Sequence, residues 1–170
     1  MPGITEGNLT FEFPDTWQVT TFDKWGFYLN QFQSVCEGAK AVDLLAVEPR
    51  ECFWSIEVKD YRQHRRTKTI DLAEEVALKV RDSLSGLVAA RVNANDAAEK
   101  GLAEAALRCP RLRVVLHLEQ PAKHSKLFPR AIDPSKVKQR LKQLIRAIDP
   151  HPMVLEMDRM NGVAWTVRQN

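Results

Sequence analysis

The spacing of apolar and polar positions changes several times along the chain, and each change marks an element. Leu9 to Phe13 alternates as a strand does, and Pro14-Asp15 ends it. Thr16 to Asn30 is rich in aromatic residues and reads as a strand followed by a short helix. Its rings suit a core better than a stacking surface. Val42 to Val47 and Phe53 to Val58 are short runs of β-formers separated by Glu48-Pro49-Arg50-Glu51, the pattern of a hairpin. Ala73, Val76, Ala77, Val80, Leu84, Leu87 and Val88 then recur at spacings of three and four. They predict an amphipathic helix of about six turns, opened by Thr69 or Asp71 as N-cap. Asn93 to Asp96 breaks it, and an Ala-rich second helix runs to Leu107 before Cys109-Pro110. Leu112 to Leu118 is continuously apolar, which predicts a buried strand in parallel pairing with helices on both sides. Pro121 to Pro134 is a long loop, and Pro134 to Ile148 has helical spacing with proline in its first turn. Val154 to Met157 and Val163 to Val167 read as a terminal hairpin around Asn161-Gly162.

This order predicts an α/β fold with a mixed sheet. The length of 170 residues suits a single domain over 1–170, with a core over about 20–120 and a C-terminal extension over about 121–170.

The hairpin concentrates the chemistry. If its turn centres near position 50, Asp43 faces Glu57 with their Cβ atoms roughly 5 Å apart. Side chains alternate along a strand, so Glu57 and Lys59 share a face with Asp43. Two close carboxylates repel when both are ionised, and a divalent cation resolves the conflict. Oxygen donors suit Mg²⁺ or Mn²⁺, which polarise a phosphoryl oxygen and acidify a bound water. The set therefore suits metal-assisted phosphodiester hydrolysis. The plain alternative is an edge strand with Glu57 and Lys59 in water. Lys79 and Asp82 flank the apolar stripe of the long helix; either can reach the metal site, and a surface salt bridge is the leading expectation for them. His117 is expected as a satisfied core histidine, with a place facing the site as the alternative.

Asp43 on one strand and Glu57-Val58-Lys59 on the next resemble the PD-(D/E)xK nuclease superfamily. The segment WSIEVKDYR also resembles small bacterial proteins of that type. The resemblance implies a restriction-endonuclease-like fold, a Mg²⁺- or Mn²⁺-dependent nuclease acting on DNA, and a catalytic set of Asp43, Glu57 and Lys59. It implies metal ligation by Asp43, Glu57 and the Val58 carbonyl. It also implies a further acid from an N-terminal element, either Asp23 or Glu37. Val42 stands where the family often has proline.

Net charge is only +3, but basic residues cluster. Arg62, Arg65, Arg66 and Lys68 follow the hairpin, and Lys123, His124, Lys126 and Arg130 lie in the long loop. Arg62, Arg65, Arg66, Lys68, Lys123 and Lys126 are the expected phosphate contacts. Lys136, Lys138, Arg140, Lys142 and Arg146 make a second cluster, equally readable as a solvated helix face. Cys36, Cys52 and Cys109 show no paired spacing, so neither a disulfide framework nor zinc is expected, and a cytoplasmic setting fits. No signal peptide, membrane span, glycine-rich phosphate loop or nucleophile elbow is read. A second expectation, of a different class, is a non-catalytic binding or assembly module on the same fold. It would work as a homodimer or beside a larger protein.

Overall fold

The computed structural model describes residues 3–123, 125–127 and 130–170. His124 lies outside the described residues. Among the described residues, two sheets and three α-helices make up the mixed α/β architecture. The main sheet has the order β3 (Gln18–Thr21), β4 (Leu44–Glu48), β5 (Cys52–Asp60), β6 (Arg111–Glu119), β7 (Met153–Leu155). Its first three strands are an antiparallel meander, while β6 and β7 add in parallel. The β5-to-β6 crossover carries α1 (Leu72–Asn93) and α2 (Ala97–Leu107), and the β6-to-β7 crossover carries α3 (Pro134–Ile145). A second sheet of three antiparallel strands holds β1 (Gly3–Glu6), β2 (Leu9–Glu12) and β8 (Thr166–Gln169).

Alternation along the strands divides the interior. Leu45, Val47, Phe53, Val114, Leu116 and Leu118 face the helices and pack with Val76, Val80, Leu87, Leu141 and Ile145. Leu44, Ala46, Trp54, Ile56 and Val115 face the small sheet and pack with Phe11, Phe13, Trp17 and Trp165. Each fully buried Val, Leu, Ile or Phe among them contributes roughly 1.5–3 kcal/mol. Gly86 lets α1 approach closely: a Cβ there would lie 3.1 Å from Phe22 and 3.2 Å from Phe32.

The hairpin register is as expected, with Leu44 opposite Ile56 and Val47 opposite Phe53. Its turn holds Arg50 at φ 61, a backbone region that favours glycine. Parallel pairing of β6 is likewise as expected. The terminal hairpin is not formed. Residues 153–155 add to β6 and residues 166–169 pair with β2, so the two segments join different sheets. The turn dipeptide is present, with Gly162 at φ 85, but a parallel partner on β6 and an open edge on β2 outcompete local pairing. Helices do not cover both faces of β6. The second face is covered by the small sheet, because an apolar run reports burial and not what covers it. The aromatic segment 16–30 gives β3, a 3-10 turn at Phe22–Lys24 and the start of a π-turn at Tyr28–Phe32. No helix among the described residues is long and apolar enough to cross a membrane.

Candidate functional site

The helix-facing side of β5 carries Phe53, then Ser55, then Glu57, so the apolar pattern gives way to a carboxylate under α1. Asp43 precedes β4 and is held there from three directions. Phe22 N–H donates to its carbonyl at 2.9 Å. Val42 N–H donates to Ser83 Oγ of α1 at 2.9 Å, and Lys40 N–H to Asp82 Oδ2 at 2.9 Å. Asp43 Oδ2 accepts from Val58 N–H at 2.7 Å. Val58 thus contacts Asp43 through its N–H.

Asp43, Glu57 and Lys59 do come together, and α1 adds Lys79. Glu57 Oε1 accepts from Lys59 Nζ at 2.5 Å and Lys79 Nζ at 2.6 Å, while Lys79 lies 3.7 Å from Asp43. Glu57 Oε2 is buried with no hydrogen-bond partner among the described residues. Lys59 also reaches Glu75 of α1 at 3.4 Å. Glu75, 1% exposed, takes Arg66 at 2.6 Å and Lys68 at 2.5 Å. Arg66 is further fixed by Tyr61 Oη at 3.1 Å and the Ile70 carbonyl at 2.5 Å. Three carboxylates thus interleave with four cations, bracing β4, β5, α1 and the connector between them.

The electrostatics follow from burial. Loss of water pushes the Glu57 carboxyl up to about 7, Asp43 adds to the rise, and Lys79 and Lys59 oppose it. Burial works against the Lys59 ammonium, but Glu57, Asp43 and Glu75 outweigh it and hold the group above its ordinary range. Burial likewise opposes ionisation of Glu75, yet Lys68, Arg66 and Lys59 hold its carboxyl at about 2. Between the two candidates for an additional acid, Asp23 is the one beside Asp43. Burial first, then Asp43 and Glu6, raise its carboxyl above the usual range. Glu37 is exposed on a short turn.

A pH dependence of stability follows from Glu57. Its folded value lies above the ordinary 4.5, so its contribution is complete below about 4.5 and is lost as pH rises to about 7. Chemical denaturation should show a decline of about 3 kcal/mol across that window. Glu57→Gln, which carries no proton to lose, should show no such decline.

A metal bound through Glu57 Oε1 would have to displace the two ammonium groups that share that oxygen. Among the described residues no group of three or more His, Cys, Asp or Glu side chains is placed to hold a metal ion.

The expected phosphate contacts are mostly engaged elsewhere. Arg62 makes a two-pronged pair with Asp60 at 2.9 and 2.6 Å. Arg65 donates to the carbonyls of Lys126 and Leu127, tying the connector to the long loop. Arg66 and Lys68 meet on Glu75, although the Lys68 side chain stays 58% exposed. Lys123 and Lys126 are exposed. Sequence reading missed Glu75. Its signal was an acid inside the apolar stripe of α1, flanked by Ala73 and Val76. Of the two roles open to Lys79, the structure gives it the one at the site, against Glu57 and Asp43, and not the surface pair. His117 is in the core as expected, on the opposite face of the sheet, 5.1 Å from the Phe11 ring and 2.9 Å from Glu119.

The second basic cluster is open. Lys136, Lys138, Lys142 and Arg146 are exposed and make no ion pair among the described residues, while Arg140 pairs with Glu74 at 3.2 Å. Val137, Leu141 and Ile145 anchor the opposite side of α3 in the core.

No family model matches the chain, and no solved structure matches it. Among curated proteins it is similar to a cysteine--tRNA ligase of Neisseria meningitidis serogroup A / serotype 4A, with 35% identity. The similarity covers 78% of this chain and 23% of that protein, so the chain spans less than a quarter of the relative's length. This comparison corrects the classification as a nuclease, a hydrolase and a PD-(D/E)xK protein: the matched relative is named as a ligase.

Proposed function

We propose that this chain is a non-catalytic binding module for a phosphate-bearing partner, RNA, and that α3 is its contact surface. The observation that carries the proposal is the outward face of α3. Lys138, Lys142 and Arg146 repeat every four residues, so they form one stripe about 12 Å long at 1.5 Å per residue. Unpaired exposed cations in a row attract a phosphate backbone whatever its sequence. The acid–lysine cluster, in contrast, pairs its four cations with its own carboxylates and braces the scaffold. The name of the tRNA ligase supports RNA over DNA. What supports a restriction-endonuclease-like scaffold without its chemistry is the meander β3-β4-β5 with a helical crossover to β6. The unpaired thiols of Cys36, Cys52 and Cys109 support a reducing, cytoplasmic setting.

Fluorescence anisotropy with a labelled single-stranded RNA tests this at increasing KCl, with and without Mg²⁺. Three or four phosphate contacts give a log–log salt slope of about −2 to −3. The RNA should be recovered at full length under both conditions. Absence of binding, or binding independent of salt, would contradict the α3 surface. Mg²⁺-dependent cleavage would contradict the non-catalytic role.

A further inference from the structure

Beside the first turn of α3 lies a polar cleft that meets the basic stripe only at Lys138. Two adjoining cavities of about 440 and 240 Å³ share Pro134, Ser135, Glu156 and Arg159. The larger adds Arg130 and Asp158, and the smaller adds Lys138. The wall after β7 is built before any ligand arrives. Met157 N–H donates to buried Glu119 at 2.6 Å, and Arg159 N–H donates to the Glu156 carbonyl at 2.8 Å. Glu156, 8% exposed, is neutralised by Arg130. Arg159 and Lys138 make no ion pair among the described residues, and of the acids lining the cleft Glu156 is met by Arg130, which leaves these two cations facing the single Asp158 carboxylate. Asp133 already caps α3 through Ser135 N–H at 2.9 Å, so the cleft's affinity for anions does not depend on the helix end.

We infer that this cleft takes one nucleotide, its phosphate held by Arg159 and Lys138 and its base or ribose facing the Asp158 carboxylate. The volume is in the range of small-ligand sites. A guanidinium matches a phosphate with two parallel donors, and a carboxylate accepts from base N–H or ribose O–H. A bare anion would find Asp158 repulsive, so a nucleotide is favoured over free phosphate. The choice of nucleotide rests on the RNA reading above. Lys138 belongs to both surfaces, which places the cleft at the end of the basic stripe.

Calorimetry with adenosine 5′-monophosphate, adenosine and inorganic phosphate tests the inference on the whole chain. The monophosphate should bind saturably and at least about tenfold more tightly than either of the others, a difference of about 1.4 kcal/mol. Arg159→Gln should abolish that preference, whereas Lys142→Glu should weaken RNA and leave the monophosphate unaffected. Equal binding of adenosine, equal binding of phosphate, or an unchanged Arg159→Gln variant would overturn the cleft as a nucleotide site. Monophosphate binding without any RNA binding would instead overturn the RNA reading and leave the cleft standing.

Discussion

Glu75→Gln should lower the unfolding free energy at pH 7 by about 3–5 kcal/mol, measured by urea denaturation. Glu75 is 1% exposed and is the common acceptor for Arg66 and Lys68, with Lys59 at 3.4 Å. Removing one partner of a buried ion cluster leaves the other charges uncompensated, which costs that much. The carboxamide offers one oxygen where three cations converge, and its NH₂ group is turned toward one of them. The sign with pH is fixed. Surrounding cations hold the folded carboxyl at about 2, below the ordinary 4.5. Its contribution is therefore present above about 4.5 and lost as pH falls to about 2. The gap between wild type and variant should narrow over that interval. Glu74→Gln is the control. Glu74 and Arg140 form an exposed pair, so its loss should cost under about 1 kcal/mol. A Glu75→Gln variant within about 0.5 kcal/mol of wild type at pH 7 would contradict the role given to the cluster.

Much of this was legible in the sequence, and the parts that were not share a cause. Alternation along 42–47 and 53–58, with proline in the turn, was enough to set the register that brings Asp43 to Glu57. The 3.6-residue period was enough for α1, whose N-cap is Asp71 accepting from Glu74 N–H at 3.2 Å. Pairing between distant segments was not legible. β8 joins β2 across nearly the whole chain, and no local signal distinguishes that from a hairpin with β7. The partners of the basic residues were equally hidden. Arg62, Arg65 and Arg66 look like phosphate ligands in one dimension, but Asp60, the loop carbonyls and Glu75 claim them in three. A motif identifies residue types and spacing. Whether an acid pair awaits a cation depends on what the next helix brings, and here α1 brings Lys79.

The same logic makes α3 the surface to perturb, because its stripe is the cluster whose charges are not met internally. Lys138, Lys142 and Arg146 are exposed, whereas Val137, Leu141 and Ile145 hold the helix to the core. Charge reversal on the stripe should therefore spare the fold while repelling phosphate. Each lost contact weakens binding uniformly across sequences and reduces the salt slope by about one. At about 1 kcal/mol per site, three changes together give a loss on the order of a hundredfold.

The decisive measurement is the affinity for a labelled single-stranded RNA, by anisotropy at fixed low salt, of wild type and of the Lys138→Glu, Lys142→Glu, Arg146→Glu triple variant. The expected result is tight, salt-sensitive binding by wild type and a loss of about a hundredfold in a triple variant that melts at the wild-type temperature. Equal affinity in the two proteins would contradict α3 as the RNA surface.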